Sequence, residues 1–475
     1  MIVETQEKRV APFGHPRTHH MPKVFIGCGA GFAGDRFDAA VPVVRSLAHC
    51  EGERFLIYEV LAERTLAIAQ KLRRDDADAG YSPFLDLYLP LVLRDCVRHG
   101  IRIVTNMGAA NPLGAAHRVQ SLARELGMPA LRVAALTGDN LLDTMAADEV
   151  RVQPRIEGLD LGDRPIVAAN AYLGADAVAE ALATGAQIVL VGRTTDAALS
   201  LGPLMHVHGW QPHQLDLLAQ GTVCGHLLEC GAQVTGAYFA DPGFKDVPAL
   251  GRVGFPIAEV DADGSLVVGK AANTGGRVSR ATVIEQLLYE VHDPFNYLTP
   301  DVVLDLGEVE VEEIGTDRVR VSGARGRPPP DTLKATVCVD AGWLGEGEIS
   351  YVGPNALARA ELAATAVRER CQLIGVKEKV RVEVLGTFAL FDSDTRARRP
   401  RVSPADTGEY RVRAAVRCHE RASAQRVADE VLSLYCSGPA GGAGVRQHVT
   451  AQIGTASILV DRKRVRPRVT MVEHR

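Results

Sequence analysis

For roughly two hundred residues from Lys23, short apolar runs rich in Val, Ile and Leu alternate with longer helical stretches. Runs of that kind suit strands buried on both faces, and helices between them suit crossovers, so the pattern predicts βαβ units and a parallel sheet. The expected strands are Lys23–Cys28, Phe55–Val60, Ile101–Thr105, Leu131–Leu136, Pro165–Ala169 and Gln187–Val191. Helices are expected over Ala62–Lys71, Tyr88–Arg98, His117–Leu126 and Asp176–Thr184. From about residue 209 the pattern becomes mixed, with a helix over Gly221–Cys230 and a hairpin turning at Asp261, Asp263 and Gly264. Strands split by turns follow over Val302–Ala341. Then come a helix at Asn355–Gln372, strands at Val380–Leu390 and Tyr410–Cys418, and a helix at Ser423–Tyr435. The reading is an α/β protein. A doubly wound, mostly parallel, Rossmann-like sheet spans 23–340 with a mixed insert from about 209. A smaller α+β domain spans 341–475, and 1–22 is a flexible leader.

A chain of 475 residues exceeds what one core usually organises, which agrees with two domains. The net charge of −5 is no footprint of a nucleic-acid binder. No apolar run reaches the ~20 residues that span a bilayer, so no membrane partner is expected. The leader has no apolar stretch of a signal peptide; His15, His19 and His20 within it form a metal-binding candidate, outweighed by disorder. Nine cysteines without pairing rhythm fit reduced thiols and a cytoplasmic protein.

Ligands of open parallel sheets bind beyond the carboxyl ends of the strands. Those ends are rich here in small residues and in Asn, Asp, Arg and Thr. They carry Gly27, Gly29, Gly31, Gly34, Asp35 and Arg36; Glu59; Asn106, Gly108 and Asn111; Asp139 and Asn140; Asn170 and Tyr172; and Arg193 and Asp196. Small residues admit a ligand to backbone N–H groups, and helix N-termini favour anions. The glycine spacing matches a dinucleotide turn, but the partner acid, Glu59, comes late and is followed by Val60. A phosphate or carboxylate site therefore fits better than NAD(P), and no cofactor is assigned.

Two further clusters carry chemistry. Lys270, Thr274, Gly275, Gly276 and Arg277 place two cations around a glycine turn, suited to a carboxylate, a phosphate or a developing enolate. Thr282 and Glu285 have capping-box spacing, which makes Glu285 structural. His226, Glu229 and Cys230 stand at i, i+3 and i+4, on one helix face. They form an acid–base pair, a Cys–His nucleophile, a metal face or a packed core.

The same segments carry a resemblance. IGCGAGFAGDR (Ile26–Arg36), TNMGAANP (Thr105–Pro112), TGDN (Thr137–Asn140), ANAYLGA (Ala169–Ala175) and GRTTDAALSLGP (Gly192–Pro203) take part in it. So do HLLECGAQVTGAYFADPG (His226–Gly243), KAANTGGRVSRATVIEQLLYEVHDP (Lys270–Pro294), PDVVLDL (Pro300–Leu306) and SGPAGGAG (Ser437–Gly444). In that order they resemble the acyclic terpene utilisation A (AtuA-like) family over nearly the whole chain from Lys23. Some members carry an extra C-terminal ferredoxin-like domain, which this chain is expected to lack. The resemblance implies work on branched acids or their acyl-CoA thioesters and carries over no catalytic residue. Argued chemically, the expected function is a lyase- or hydratase-type enzyme on such an acid or thioester, a small-molecule partner. His226 and Glu229 would be the acid–base groups and Arg36, Arg193, Lys270 and Arg277 the anion binders. Asn106, Asn111, Asp139 and Asn170 would orient the substrate. A non-catalytic acyl-CoA-binding or accessory subunit, and a nucleotide-dependent enzyme using Gly27–Gly34, are the alternatives. The long, apolar second half allows a homo-oligomer.

Overall fold

The computed structural model describes residues 22–386 and 408–472. The leader, apart from Pro22, lies outside them, and so does the Arg/Pro-rich stretch 395–404, whose composition predicts an exposed loop. Five strands pair in parallel: Val24–Cys28, Glu53–Tyr58, Arg102–Thr105, Ile188–Val191 and Val133–Thr137, in that spatial order. Each is a short run of buried aliphatic residues with a helix on its return path, as the sequence pattern requires.

The complete sheet is mixed, not mostly parallel. The hairpin Pro256–Val260/Leu266–Lys270 adds antiparallel beside Val24–Cys28, and the hairpin Glu310–Gly315/Arg318–Ser322 extends that side. On the far edge the C-terminal strand Arg468–Val472 pairs antiparallel with Val133–Thr137, giving ten strands. Side chains from 24 to 472 merge in one large core.

A second, antiparallel sheet is built on one long strand, Thr332–Val352, flanked by Glu409–Cys418 and Ala443–Asp461. Residue 340, the expected boundary, lies within this strand. Ala356–Leu373 and Arg421–Leu432 pack against its distal part through Ala360, Ala364, Val367, Val427 and Val431. The proximal part accepts Ile166–Ala171 as an antiparallel neighbour. That strand, expected in the parallel sheet, therefore belongs to the other one: a buried apolar run identifies a strand without naming its partner.

The helix Ala198–His208, with Pro203 inside, was not anticipated. It packs on Leu215–Glu229, and both are buried nearly all round, so neither shows a clear apolar stripe. Glycines bring them together. A Cβ on Gly221 would lie 2.5 Å from a methyl of Leu201, and one on Gly225 would lie 2.5 Å from the Ala197 Cα. Gly225→Val is expected to force the helices apart and cost about 1–3 kcal/mol of stability, measurable by denaturant unfolding.

Candidate active site

Arg193 follows Ile188–Val191, the strand between Arg102–Thr105 and Val133–Thr137, and is only 2% exposed. Its backbone N–H donates to Asp139 Oδ2 at 2.9 Å, and Asn170 Nδ2 donates to the same oxygen at 2.8 Å. Gly192 makes this approach possible, since a Cβ there would stand 2.6 Å from Asp139 Oδ1. The guanidinium donates to the Leu61 carbonyl and to Asp196 Oδ1 (2.5 Å) and lies over the Tyr172 ring at 4.2 Å. The Tyr172 hydroxyl donates to Glu63 at 2.7 Å. Arg193 Nε is buried without a partner.

Beside it, Glu59 Oε1 accepts from Leu61 N (2.9 Å) and Asn106 Nδ2 (2.8 Å), while Asn106 Oδ1 accepts from Val60 N (2.8 Å). Burial pushes the Glu59 carboxyl up; Arg193, the Leu61 N–H and Asn106 oppose this, and Glu229 adds to it. Asp196 is pushed well above the usual carboxylate range, first by burial, then by Glu59, Glu229 and Glu63, against the pull of Arg193. Its side chain still keeps 35% of its surface open to solvent.

His226 and Glu229 reach this cluster from the end of the Leu215–Glu229 helix. Gly225, one residue before His226, seats the helix on Ala197, one residue after Asp196. His226 is 4% exposed; its Nδ1 lies 2.9 Å from Glu229 Oε1, and its Nε2 has no partner. Burial works to lower the imidazole pKa, but the charge and hydrogen bond of Glu229 and the surroundings at Gln286 and Glu290 outweigh it, so the group is held above its ordinary value. The Tyr297 ring packs against His226 at 6.1 Å, and its phenol shares the field of Glu229 and Asp196. Of nine buried polar atoms without partners among the described residues, four belong to Arg193, Thr194, Ser200 and His226. Buried polar groups are normally satisfied, so each of these atoms is a candidate for contact with a polar ligand or ordered water.

The structure thus brings His226, Glu229, Asn106, Asp139, Asn170, Arg193 and Asp196 to one edge, with Asn106, Asp139 and Asn170 as a scaffold that holds Glu59 and Arg193. Cys230 is adjacent, but burial and then Glu229 push its thiol pKa up, the reverse of what a nucleophile needs. Asn111 caps the Pro112–Glu125 helix through Gly114 N and holds the carbonyls of Ala77 and Ala79. Asn140 is bound to Asp143 at 2.7 Å.

The glycine turn is self-contained. Gly29 N donates to Ile57 O, a Cβ on Gly31 would strike the backbone of Cys230, and Gly34 has a φ of +96°. Asp35 accepts from Gly31 N (2.9 Å) and Arg36 N (2.8 Å), taking the place an anion would need. The next helix starts only at Ala40. Arg36 donates to Val253 O at 3.2 Å and pairs with Asp38 at 3.3 Å.

The second glycine turn lies at the same edge, since Lys270 pairs with Pro256 beside the end of Val24–Cys28. Its donors are spent: Gly275, Gly276 and Arg277 N–H groups go to Arg252, Pro248 and Thr235 carbonyls. Lys270 pairs with Asp317 (3.3 Å) and the Thr274 carbonyl (3.1 Å), and the Thr274 hydroxyl donates to Ala271 O at 2.5 Å. Only the Arg277 side chain, exposed and without a partner among the described residues, stays available. The following helix is capped by Ser279 with Thr282; Glu285 makes a surface pair with Lys245, so the capping box lies three residues earlier than the sequence spacing indicated.

The family model for acyclic terpene utilisation family protein AtuA matches residues 24–471, which includes every strand of both sheets except the last residue of the C-terminal one. The chain belongs to the acyclic terpene utilisation A family. No curated protein and no solved structure matches it. The matched span takes in the Arg193 turn, the His226 helix and the long Thr332–Val352 strand alike. All nine cysteines are free thiols, no group of three or more His, Cys, Asp or Glu among the described residues is arranged to hold a metal, and no described helix is long and apolar enough to cross a membrane. Glu63 and Tyr297 were not found from sequence: Glu63 opens an ordinary helix, and Tyr297 sits in a two-residue strand far along the chain.

Proposed function

We propose that this chain is an enzyme that transfers a proton beside the carbonyl of a branched-chain acid or its acyl-CoA thioester, in a lyase- or hydratase-type reaction. The observation that supports it is His226: buried, held at Nδ1 by Glu229, with Nε2 left without a partner. A histidine oriented at one nitrogen and open at the other is the arrangement general acid–base catalysis uses. Nε2 takes the proton and Glu229 stabilises the imidazolium. Asp196 and Glu59, whose pKa values are raised, hold the second proton that a water or hydroxyl loses or gains. Arg193 holds these carboxylates in place. Arg277 is the cation open to an anionic end of the ligand.

The test is a thermal-shift screen of the full chain with branched acyl-CoA thioesters, free acids, nucleotides and divalent metals. A ligand that binds the folded state alone raises the melting temperature. An acyl-CoA is expected to raise it, and Arg277→Ala to shrink that rise with an affinity loss of about tenfold. A rise with nucleotide alone would contradict the proposal. A rise with the thioester but no turnover would favour the accessory-subunit reading.

A further inference from the structure

We infer that the parallel strands carry a second ligand site at their opposite end, one that takes a small carboxylate with an apolar body. Asn106 and Arg193 follow the carboxyl ends of Arg102–Thr105 and Ile188–Val191; the amino ends of the same two strands open on a cavity of about 270 Å³. Its floor is apolar. Leu93 and Cys96 of the helix Leu85–Arg98 form it with Ile101, Ile103 and Ile188, all at most 4% exposed. Gly100, Arg102, Arg132 and Gln187 form the more open mouth. The volume is just under the ~300 Å³ at which small-molecule sites begin, so the occupant is smaller than a drug-sized ligand. This site stands apart from the His226 edge and does not depend on how that edge is read.

Two arginines line this cavity and no acid does. They differ in what they have left to give. Arg102 is committed: Nη2 donates to Glu53 at 2.9 Å, Nη1 lies 3.0 Å from His206 Nε2, and the guanidinium covers the Phe55 ring at 4.8 Å. Arg132 is held only at Nε, which donates to the Gly185 carbonyl at 2.7 Å; both Nη groups are without a partner among the described residues. Gln187 Oε1 accepts from Arg132 N at 3.0 Å, which fixes the amide beside that guanidinium. Arg54 adds a cation at the rim. Its Nη2 lies 3.9 Å from where a Cβ on Gly100 would stand, and its Nε is buried without a partner. The carbonyls that end the Leu85–Arg98 helix do not compete, because Gly100 N and Ile101 N already meet those of Val97 and Cys96. What the mouth lacks is a bidentate acceptor for Arg132, and a carboxylate has that geometry. The apolar floor covers the rest of the molecule.

The experiment titrates the full chain with phenylacetate and with phenylacetamide, a neutral probe of the same shape, followed by ligand-observed proton NMR. Phenylacetate is expected to bind with a Kd of about 1 mM or tighter, and the amide at least about tenfold more weakly. Arg132→Gln, checked for parental melting behaviour, is expected to weaken phenylacetate by about tenfold and to leave the amide as it was. Val97→Trp, from a half-buried position on the cavity wall, is expected to weaken both probes. Arg277→Ala, at the other end of the sheet, is expected to change neither. Binding of neither probe, equal affinities for the two, or phenylacetate binding that survives both Arg132→Gln and Val97→Trp or is lost with Arg277→Ala overturns the inference.

Discussion

Arg193→Met is expected to lower the stability of the fold by about 3–5 kcal/mol, because it removes the one guanidinium among buried carboxylates and leaves Asp196 and Glu59 uncompensated. Methionine keeps much of the side-chain volume, so the loss reports charge more than packing. The sign of its pH dependence is fixed. The Asp196 carboxyl is already raised in the folded protein, and losing Arg193 raises it further. Once the pH is below the parent's folded value, Asp196 is protonated in both proteins and the difference fades. Above the variant's still higher value the full cost is present. Urea unfolding of parent and variant, compared at neutral pH and at successively lower pH, should therefore show a gap that closes with acid. A gap of under about 1 kcal/mol at neutral pH would mean that the carboxylates are already neutral without help from Arg193.

His226→Asn is expected to cut turnover of a branched acyl thioester by about 10²–10⁴-fold while leaving its binding within a few-fold. Asparagine retains a hydrogen-bonding group toward Glu229 and cannot cycle a proton. In the parent, the base is active when neutral, and His226 is held above its ordinary value. The rate should therefore rise with pH through a midpoint above about 6.5. Glu229→Gln removes the charge that raises it, so the midpoint should move down and the plateau fall. An unmoved midpoint would assign the titration to another group.

The strand ends were legible because buried aliphatic runs followed by small and polar residues have few other uses. Asn106, Asp139, Arg193 and Asp196 came from that rule. The partner of each strand was not legible: Ile166–Ala171 has the same composition whether it joins the parallel sheet or lies against Thr332–Val352. The glycine turns misled for a related reason. Sequence marks where a backbone can approach something closely, but not what it approaches. Gly29 and Gly31 make room for Tyr58 and for Cys230, and Gly275 for Ala249. Cations misled likewise, because Lys270 and Arg36 find acids or carbonyls that local spacing does not reveal. His226 and Glu229 were legible as a pair through their helical spacing. Their arrival beside Asp196 depends on the packing of Gly225 on Ala197, a contact between helices that only the fold discloses.

The claim at the centre of this account is that His226 moves a proton at a carbon beside a carbonyl. Incubation of the full chain with an isovaleryl thioester in deuterium oxide, followed by proton NMR of the acyl chain, tests it directly. The account predicts deuterium at the α-carbon with the parent protein and none above background with His226→Asn. A thioester that binds the parent and keeps all of its α-protons would contradict it.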